Sequence, residues 1–251
     1  MRSATGSLQS VLVLGGRSEI AHAILGALDP ARLERVVTAS RPGGSDRAHP
    51  APVPTSATIE HLDYDATDPQ AHQRVVAAAA EPGDLDLIIV AFGRLGDPFD
   101  LEADPATTAD LVDLNGAAAC AAAHAAVRRL TEQGHGTLVV LSSVAAQRVR
   151  RENAPYAAGK AALDAYTRAL IDMTHGTAVR VVLVRPGFVR GRMTEGRPAA
   201  PLATTPSAVA RDVVAAIGDD RSAIVWSPGS LRAVMAGLVA APGFLWRRLT
   251  R

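Results

Sequence analysis

The stretch Ser10-Val11-Leu12-Val13-Leu14-Gly15-Gly16-Arg17-Ser18-Glu19-Ile20 sets the reading of the whole chain. Its first half is a short apolar, β-branched run, the pattern of a buried strand. Two glycines end the run, and the residues after them lead into a helix reaching about Leu28. Strand, glycine turn and helix make the front edge of a dinucleotide site, where backbone N–H groups and the helix N-terminus hold a pyrophosphate. The candidate cofactor contacts here are Gly15, Arg17, Ser18, Glu19 and Ile20. Glu19 and Ala21 stand where such loops often carry glycine, so this turn alone does not decide the function.

The same alternation continues downstream. Apolar runs at 35–40, 58–62, 85–92, 137–141, 179–184 and 222–226 read as strands. Helices are expected over 67–80, 105–133, 153–174 and 204–217, the last capped by Ser207, while three prolines mark 49–56 as a loop. Short strands alternating with helices give an α/β fold, a Rossmann-like doubly wound parallel sheet in three layers, as a single domain over residues 1–251. At the end of the second strand Ser40 and Arg41 replace the acid that binds a ribose 2′-OH, and with Arg17 nearby this favours a 2′-phosphate, hence NADPH. Asp63, closing the third strand, is the candidate adenine contact. The alanine-rich helix 105–133 carries few charges, so it should pack on the sheet and against a second subunit, giving a homo-oligomer. Asn115 lies within it, a poor helix former that is either a tolerated surface residue or a local break placing a carbonyl or water near the active site.

Composition narrows the function. A net charge of +1 gives no global electrostatic case for nucleic acid. One cysteine, Cys120, excludes an intramolecular disulfide and a cysteine-based metal cluster, and the seven histidines never take a metal-ligand spacing, so no metal site is expected. Residues 1–10 lack the features of a signal peptide, and no apolar run reaches the roughly 20 residues of a spanning helix. A cytoplasmic chain, or one peripheral at the inner membrane, is the expectation.

Residues 143–160 carry the chemistry. Lys160 is the only lysine among the 26 Lys and Arg of the chain, and it follows Tyr156 by four residues. On a helix that spacing puts phenol and ammonium on one face. A neighbouring cation favours phenolate, so Lys160 is expected to lower the Tyr156 pKa and make the tyrosine a proton donor and acceptor. Ser142 and Ser143 lie at the C-terminal end of a strand, where ligands bind in open α/β sheets.

Taken together, these residues resemble the short-chain dehydrogenase/reductase family over nearly the whole chain. The resemblance implies a catalytic set of Ser143, Tyr156 and Lys160, with Asn115 as its fourth member. It implies cofactor contacts at Ala91, Gly93, Tyr156, Lys160, Pro186, Gly187 and Val189. Departures are Glu19 and Ala21 in the glycine loop, Ala91-Phe92-Gly93 for an Asn-Ala-Gly, and Gly191 where a Thr often contacts the carboxamide. Four stretches, beginning at Leu14, Ile89, Ser142 and Val184, look like one branch of that family, the reductases that act on a polyprenyl-phosphate-linked 2-keto pentose in cell-wall arabinan synthesis. That branch implies NADH, a lipid-linked keto sugar as substrate and a flavin-dependent partner oxidase. It would give Arg148, Arg150 and Arg151, otherwise a surface charge cluster, a purpose as phosphate ligands, and the apolar segment 229–251, with Phe244, Trp246, Arg247 and Arg248, a membrane-interface role in place of ordinary docking of a terminal helix on the sheet. Other readings are a 3-ketoacyl or hydroxysteroid reductase, or a dinucleotide-sensing regulator without activity.

Overall fold

Strands whose residues are apolar on both sides need cover on both faces, and that requirement shapes this fold. The computed structural model describes residues 8–42, 57–98, 102–219 and 221–249. Its strands are β1 (Ser10–Leu14), β2 (Arg35–Ser40), β3 (Thr58–Asp63), β4 (Leu87–Val90), β5 (Gly136–Leu141), β6 (Val179–Pro186) and β7 (Ala223–Ser227). They form one seven-stranded sheet in the order β3-β2-β1-β4-β5-β6-β7, every neighbour parallel. The helices are α1 (Glu19–Ala27), α2 (Ala71–Ala80), α3 (Pro105–Val112), α4 (Ala118–Gln133), α5 (Ala154–Met173), α6 (Pro206–Gly218), α7 (Leu231–Ala240) and α8 (Gly243–Leu249).

Alternate strand residues feed two cores. Leu12, Leu14, Ile88, Val90, Leu138 and Val140 pack with buried residues of α2, α4 and α5. Val11, Val13, Leu87, Ile89, Val139 and Val182 pack with those of α1 and α6 on the other face. Each fully buried Leu, Ile or Val contributes about 1.5–3 kcal/mol relative to exposure. The chain winds outward in one direction from β1 through β3 and in the other from β4 through β7, so the switch point lies between β1 and β4. Beyond the C-terminal ends of these strands is where such sheets bind ligands.

Several boundaries differ from the sequence reading. The helix expected over 105–133 is three pieces, because a π-helical turn, Asp113–Ala117, separates α3 from α4 around Asn115. Helix α2 starts at Ala71, since Asp68 and Pro69 are spent in the preceding turn, where Asp68 accepts from the Gln70 N–H at 2.9 Å. Thr205, not Ser207, caps α6 by accepting from the Ala208 N–H at 3.2 Å. The proline-rich loop 49–56 lies outside the described residues.

Candidate active site

Helix α5 brings Tyr156 and Lys160 to the sheet, and Gly159 lets it come close. A Cβ on Gly159 would stand 2.8 Å from the Asn115 Cβ and 3.0 Å from the Gly116 nitrogen, closer than side chains pack. The lysine is 4% exposed. Its Nζ donates to the Leu141 carbonyl at 2.8 Å, which fixes the ammonium at the end of β5. Ser143, the next residue but one, is buried and accepts from the Ala145 N–H at 3.1 Å, capping the short turn Val144–Ala146. Its hydroxyl also hydrogen-bonds the Tyr156 phenol. Ser143, Tyr156, Lys160 and Gly93 line one cavity of about 1670 Å³ above the switch point.

The electrostatics correct the sequence reading. Burial pushes the Tyr156 phenol above its ordinary pKa, and the Ser143 hydrogen bond pulls it partly back. Lys160 does not drive the tyrosine toward phenolate; its own pKa is held down to about 8, because burial penalises the ammonium. The phenol opens partly onto the cleft, so solvent tempers its upward push. Asn115, expected as the fourth member of the catalytic set, is fully buried and its side chain is taken up by backbone groups. Its Nδ2 donates to the Arg94 and Leu111 carbonyls, both at 2.8 Å, and its Oδ1 accepts from the Arg94 N–H at 3.1 Å. The π turn thereby clamps the segment leaving β4.

The nucleotide side is built from the glycine turn. Gly15 has φ +104, and a Cβ there would meet the Phe92 nitrogen at 2.6 Å. Gly15 and Gly16 both donate to the Ala39 carbonyl at 2.9 Å, folding the turn against β2. Ser18 caps α1 by accepting from the Ala21 N–H at 3.3 Å. Gly15, Arg17, Ser18, Glu19, Ile20, Arg41, Ala91, Gly93, Pro186, Gly187 and Val189, all anticipated from the sequence, line the cavity. Asp63 does not. It ends β3 paired with Ser40, whereas Asp65, two residues beyond, reaches the cavity with Tyr64 and Thr67. The Asp65 carboxyl is held below the usual range first by hydrogen bonds from Thr67, with Arg41 adding a weaker pull. Arg17 donates to the Arg41 carbonyl at 2.6 Å, so both arginines sit at the β2 end, where Ser40 takes the place of an acid on the strand itself.

Glu19, on the cavity wall, is engaged by the loop after β6. Its carboxylate accepts from the Arg192 N–H at 2.8 Å and pairs with that guanidinium at 3.5 Å, while Arg192 also donates to the Arg17 carbonyl at 2.7 Å. On the far side Arg197 donates to the Gly96 carbonyl. The loop after β6 is thus tied across the cavity, and Gly191 is where Glu19 presses closest. A crowded glycine turn, a capped helix start and basic groups at the β2 end fit a nicotinamide dinucleotide running from Asp65 across the turn to Pro186–Val189.

Of the three arginines between Ser143 and Tyr156, Arg148 and Arg150 line the cavity and Arg151 does not. Arg148 is already engaged, donating to the Ala241 carbonyl at 3.2 Å with its guanidinium 5.0 Å from the centre of the Trp246 ring. It fastens the C-terminal helices, whose Leu231, Val234, Met235, Leu238 and Trp246 form an apolar wall of the cavity. Sequence reasoning missed this wall, Asp65, Arg192 and the buried pair of Asp164 with Arg185, joined at 2.8 Å. Asp164 was the most accessible to it, lying four residues past Lys160 on the same helix face. Among the described residues no cluster of His, Cys, Asp and Glu suits a metal, and no helix is long and apolar enough to cross a membrane.

Comparison with known proteins agrees with this geometry. An uncharacterised oxidoreductase of Streptomyces coelicolor is 38% identical over 249 residues, covering 99% of this chain and 98% of the relative. Another, from Mycobacterium tuberculosis strain H37Rv, is 36% identical over 242 residues, covering 96% and 97%. Among solved structures, a short chain dehydrogenase from Burkholderia cenocepacia in complex with NADP superposes with a TM-score of 0.78 at 22% identity, over 98% of each chain. The profile of the short chain dehydrogenases matches residues 9–201. The chain therefore belongs to the short-chain dehydrogenase family of NAD(P)-dependent oxidoreductases.

Proposed function

We propose that the chain reduces a ketone, with Ser143, Tyr156 and Lys160 as the catalytic set. The observation carrying this is the buried ammonium of Lys160 held at the end of β5, on one cavity wall with the Ser143-bonded Tyr156 phenol. A bound nicotinamide supplies the hydride. Tyr156 donates its proton to the ketone oxygen, and burial helps by keeping the phenol protonated beforehand. Ser143 donates a hydrogen bond to the same oxygen as negative charge develops there. Lys160, one helical turn beyond Tyr156, holds its ammonium in the cavity wall at the end of β5, and Asn115 holds the wall after β4 in place. Ser40, Arg17 and Arg41 at the nucleotide end support NADPH over the NADH that the family branch implies.

For the substrate, our reading is a 2-keto pentose on a polyprenyl phosphate, as in decaprenylphosphoryl-2-keto-pentose reduction to decaprenylphosphoryl arabinose. The apolar wall from Leu231 to Trp246 would take the lipid and Arg150 the phosphate, with Arg148 engaged by Trp246. The outer side of these helices exposes Val239 and Phe244, and no Asp or Glu follows Asp220, which supports peripheral contact with an anionic membrane. A 3-ketoacyl thioester is the second reading, since the same wall accepts an acyl chain. The test is oxidation of NADH and NADPH with three ketones: the polyprenyl-phosphate keto pentose, a soluble keto sugar and acetoacetyl thioester. Faster turnover of the lipid-linked sugar supports the first reading, preference for the thioester transfers the function to the second, and no turnover with any of them refutes both.

A further inference from the structure

One buried carboxylate outside the catalytic set ties together the segments that carry it. Asp164, its side chain 2% exposed, lies one helical turn beyond Lys160 on α5. Its Oδ2 accepts from Arg185 Nε at 2.8 Å and from Ser142 Oγ at 3.2 Å. Its Oδ1 accepts from the second Arg185 nitrogen at 2.8 Å and from Gln147 Nε2 at 3.2 Å, with Arg168 approaching from the rim at 3.5 Å. Each donor sits beside a working part of the site. Ser142 precedes Ser143, Gln147 closes the turn that Ser143 caps, and Arg185 precedes Pro186-Gly187 while stacking 4.8 Å from the Trp226 ring centre.

A buried ion pair is a poor way to gain stability, because desolvating both charges offsets their attraction, and well-packed apolar residues do as well or better. What the pair does supply is fixed geometry, since a bidentate guanidinium–carboxylate contact admits little variation in angle. We infer that Asp164 is a positioning residue for the reduction, holding the Ser143 turn and the β6 end in register with Tyr156 and Lys160 on its own helix. This rests on the reading of Ser143, Tyr156 and Lys160 as the catalytic set.

The experiment compares full-length Asp164→Asn, Asp164→Leu/Arg185→Met, Ser143→Ala, Tyr156→Phe and Asp164→Asn/Ser143→Ala with the unaltered chain, using the fastest ketone of the panel above. Asp164→Asn should lower kcat by about 10–100-fold, the scale of a slight misplacement of catalytic groups. The dissociation constant for NAD(P)H should change far less than kcat, because the glycine turn and the β2 end that hold most of the nucleotide are untouched and only the Pro186 end is loosened. Loss of the ordered Ser143 hydrogen bond should move the alkaline limb of the kcat–pH profile upward, as in Ser143→Ala, and the double variant should be no slower than Ser143→Ala alone. The Leu/Met pair guards against misfolding: a recovered Tm with kcat still depressed supports positioning. Recovery of both, or an Asp164→Asn variant that loses Tm while its folded fraction keeps kcat and pH profile, overturns the inference. If Ser143→Ala and Tyr156→Phe themselves retain turnover, the catalytic set is wrong; if they lose it and Asp164→Asn does not, only the positioning role falls.

Discussion

Replacing Tyr156 by Phe keeps the ring in its half-buried place and removes only the hydroxyl that Ser143 engages. Turnover should fall by about 10²–10⁴-fold, the usual scale of a lost proton donor. Fluorescence titration should show NAD(P)H binding unchanged, and substantial residual reduction would contradict the role. Lys160 makes a second claim at this scale, through stability. Its folded pKa, about 8, lies below the ordinary value of 10.5, so between those limits the unfolded chain binds more protons. Stability from this group therefore rises with pH across that window, and below about 8 the burial penalty is present in full. Buried phenols and Cys120, whose pKa values are raised, act in the opposite sense at high pH, so the measurement is a difference. Subtracting a Lys160→Met unfolding curve from that of the unaltered chain should leave a gain that grows from pH 8 to 10.5. Ser143, Tyr156 and Lys160 were legible because their spacing reports a strand end and one helix face. Asp63 was misjudged by two residues because strand register does not say where the chain leaves the sheet. Asp164 went unread because its partner Arg185 is brought to it only by the folded sheet.

The glycine turn between β1 and α1 is the element most intolerant of change. Gly15→Ala puts a methyl group against the Phe92 backbone at a backbone angle that L-residues seldom adopt. It should destabilise the fold by about 1–3 kcal/mol and weaken NAD(P)H binding measurably by calorimetry. Helix α6 offers a smaller contrast. Thr205→Ala should cost about 1 kcal/mol in chemical denaturation, while Ser207→Ala, at an exposed site inside the helix, should stay within about 0.5 kcal/mol. The sequence reading put the cap at Ser207, two residues late, because an apolar period does not report where the backbone turns helical; Thr205 is extended at φ −124, and Ser207 already lies inside the helix. Element order was readable from apolar runs and their spacing. The π turn was visible only as a misplaced Asn115, since helical periodicity cannot report one extra residue in a turn.

For the whole molecule, a doubly wound parallel sheet followed from the alternation of strands and helices, but the closing of the cavity by α7 and α8 did not. An apolar tail reads alike whether it docks or meets a membrane, and here Leu231 and Met235 are buried while Phe244 is 61% exposed. Truncation after Pro242 should raise KM for a lipid-linked ketone far more than for a soluble keto sugar, and should abolish co-sedimentation with anionic vesicles; unchanged sedimentation would remove the membrane from the account. The bridge from Glu19 to Arg192 has a kinetic consequence. Its two side chains are 29% and 44% exposed, and such a half-wetted ion pair contributes at most about 1 kcal/mol. The roof over the nucleotide is therefore held by a clasp that thermal motion opens readily and that salt loosens further. Dissolved electrolyte should hasten departure of spent nucleotide in stopped-flow traces yet leave single-turnover reduction untouched, so that ionic strength sets the pace of exchange and not of chemistry.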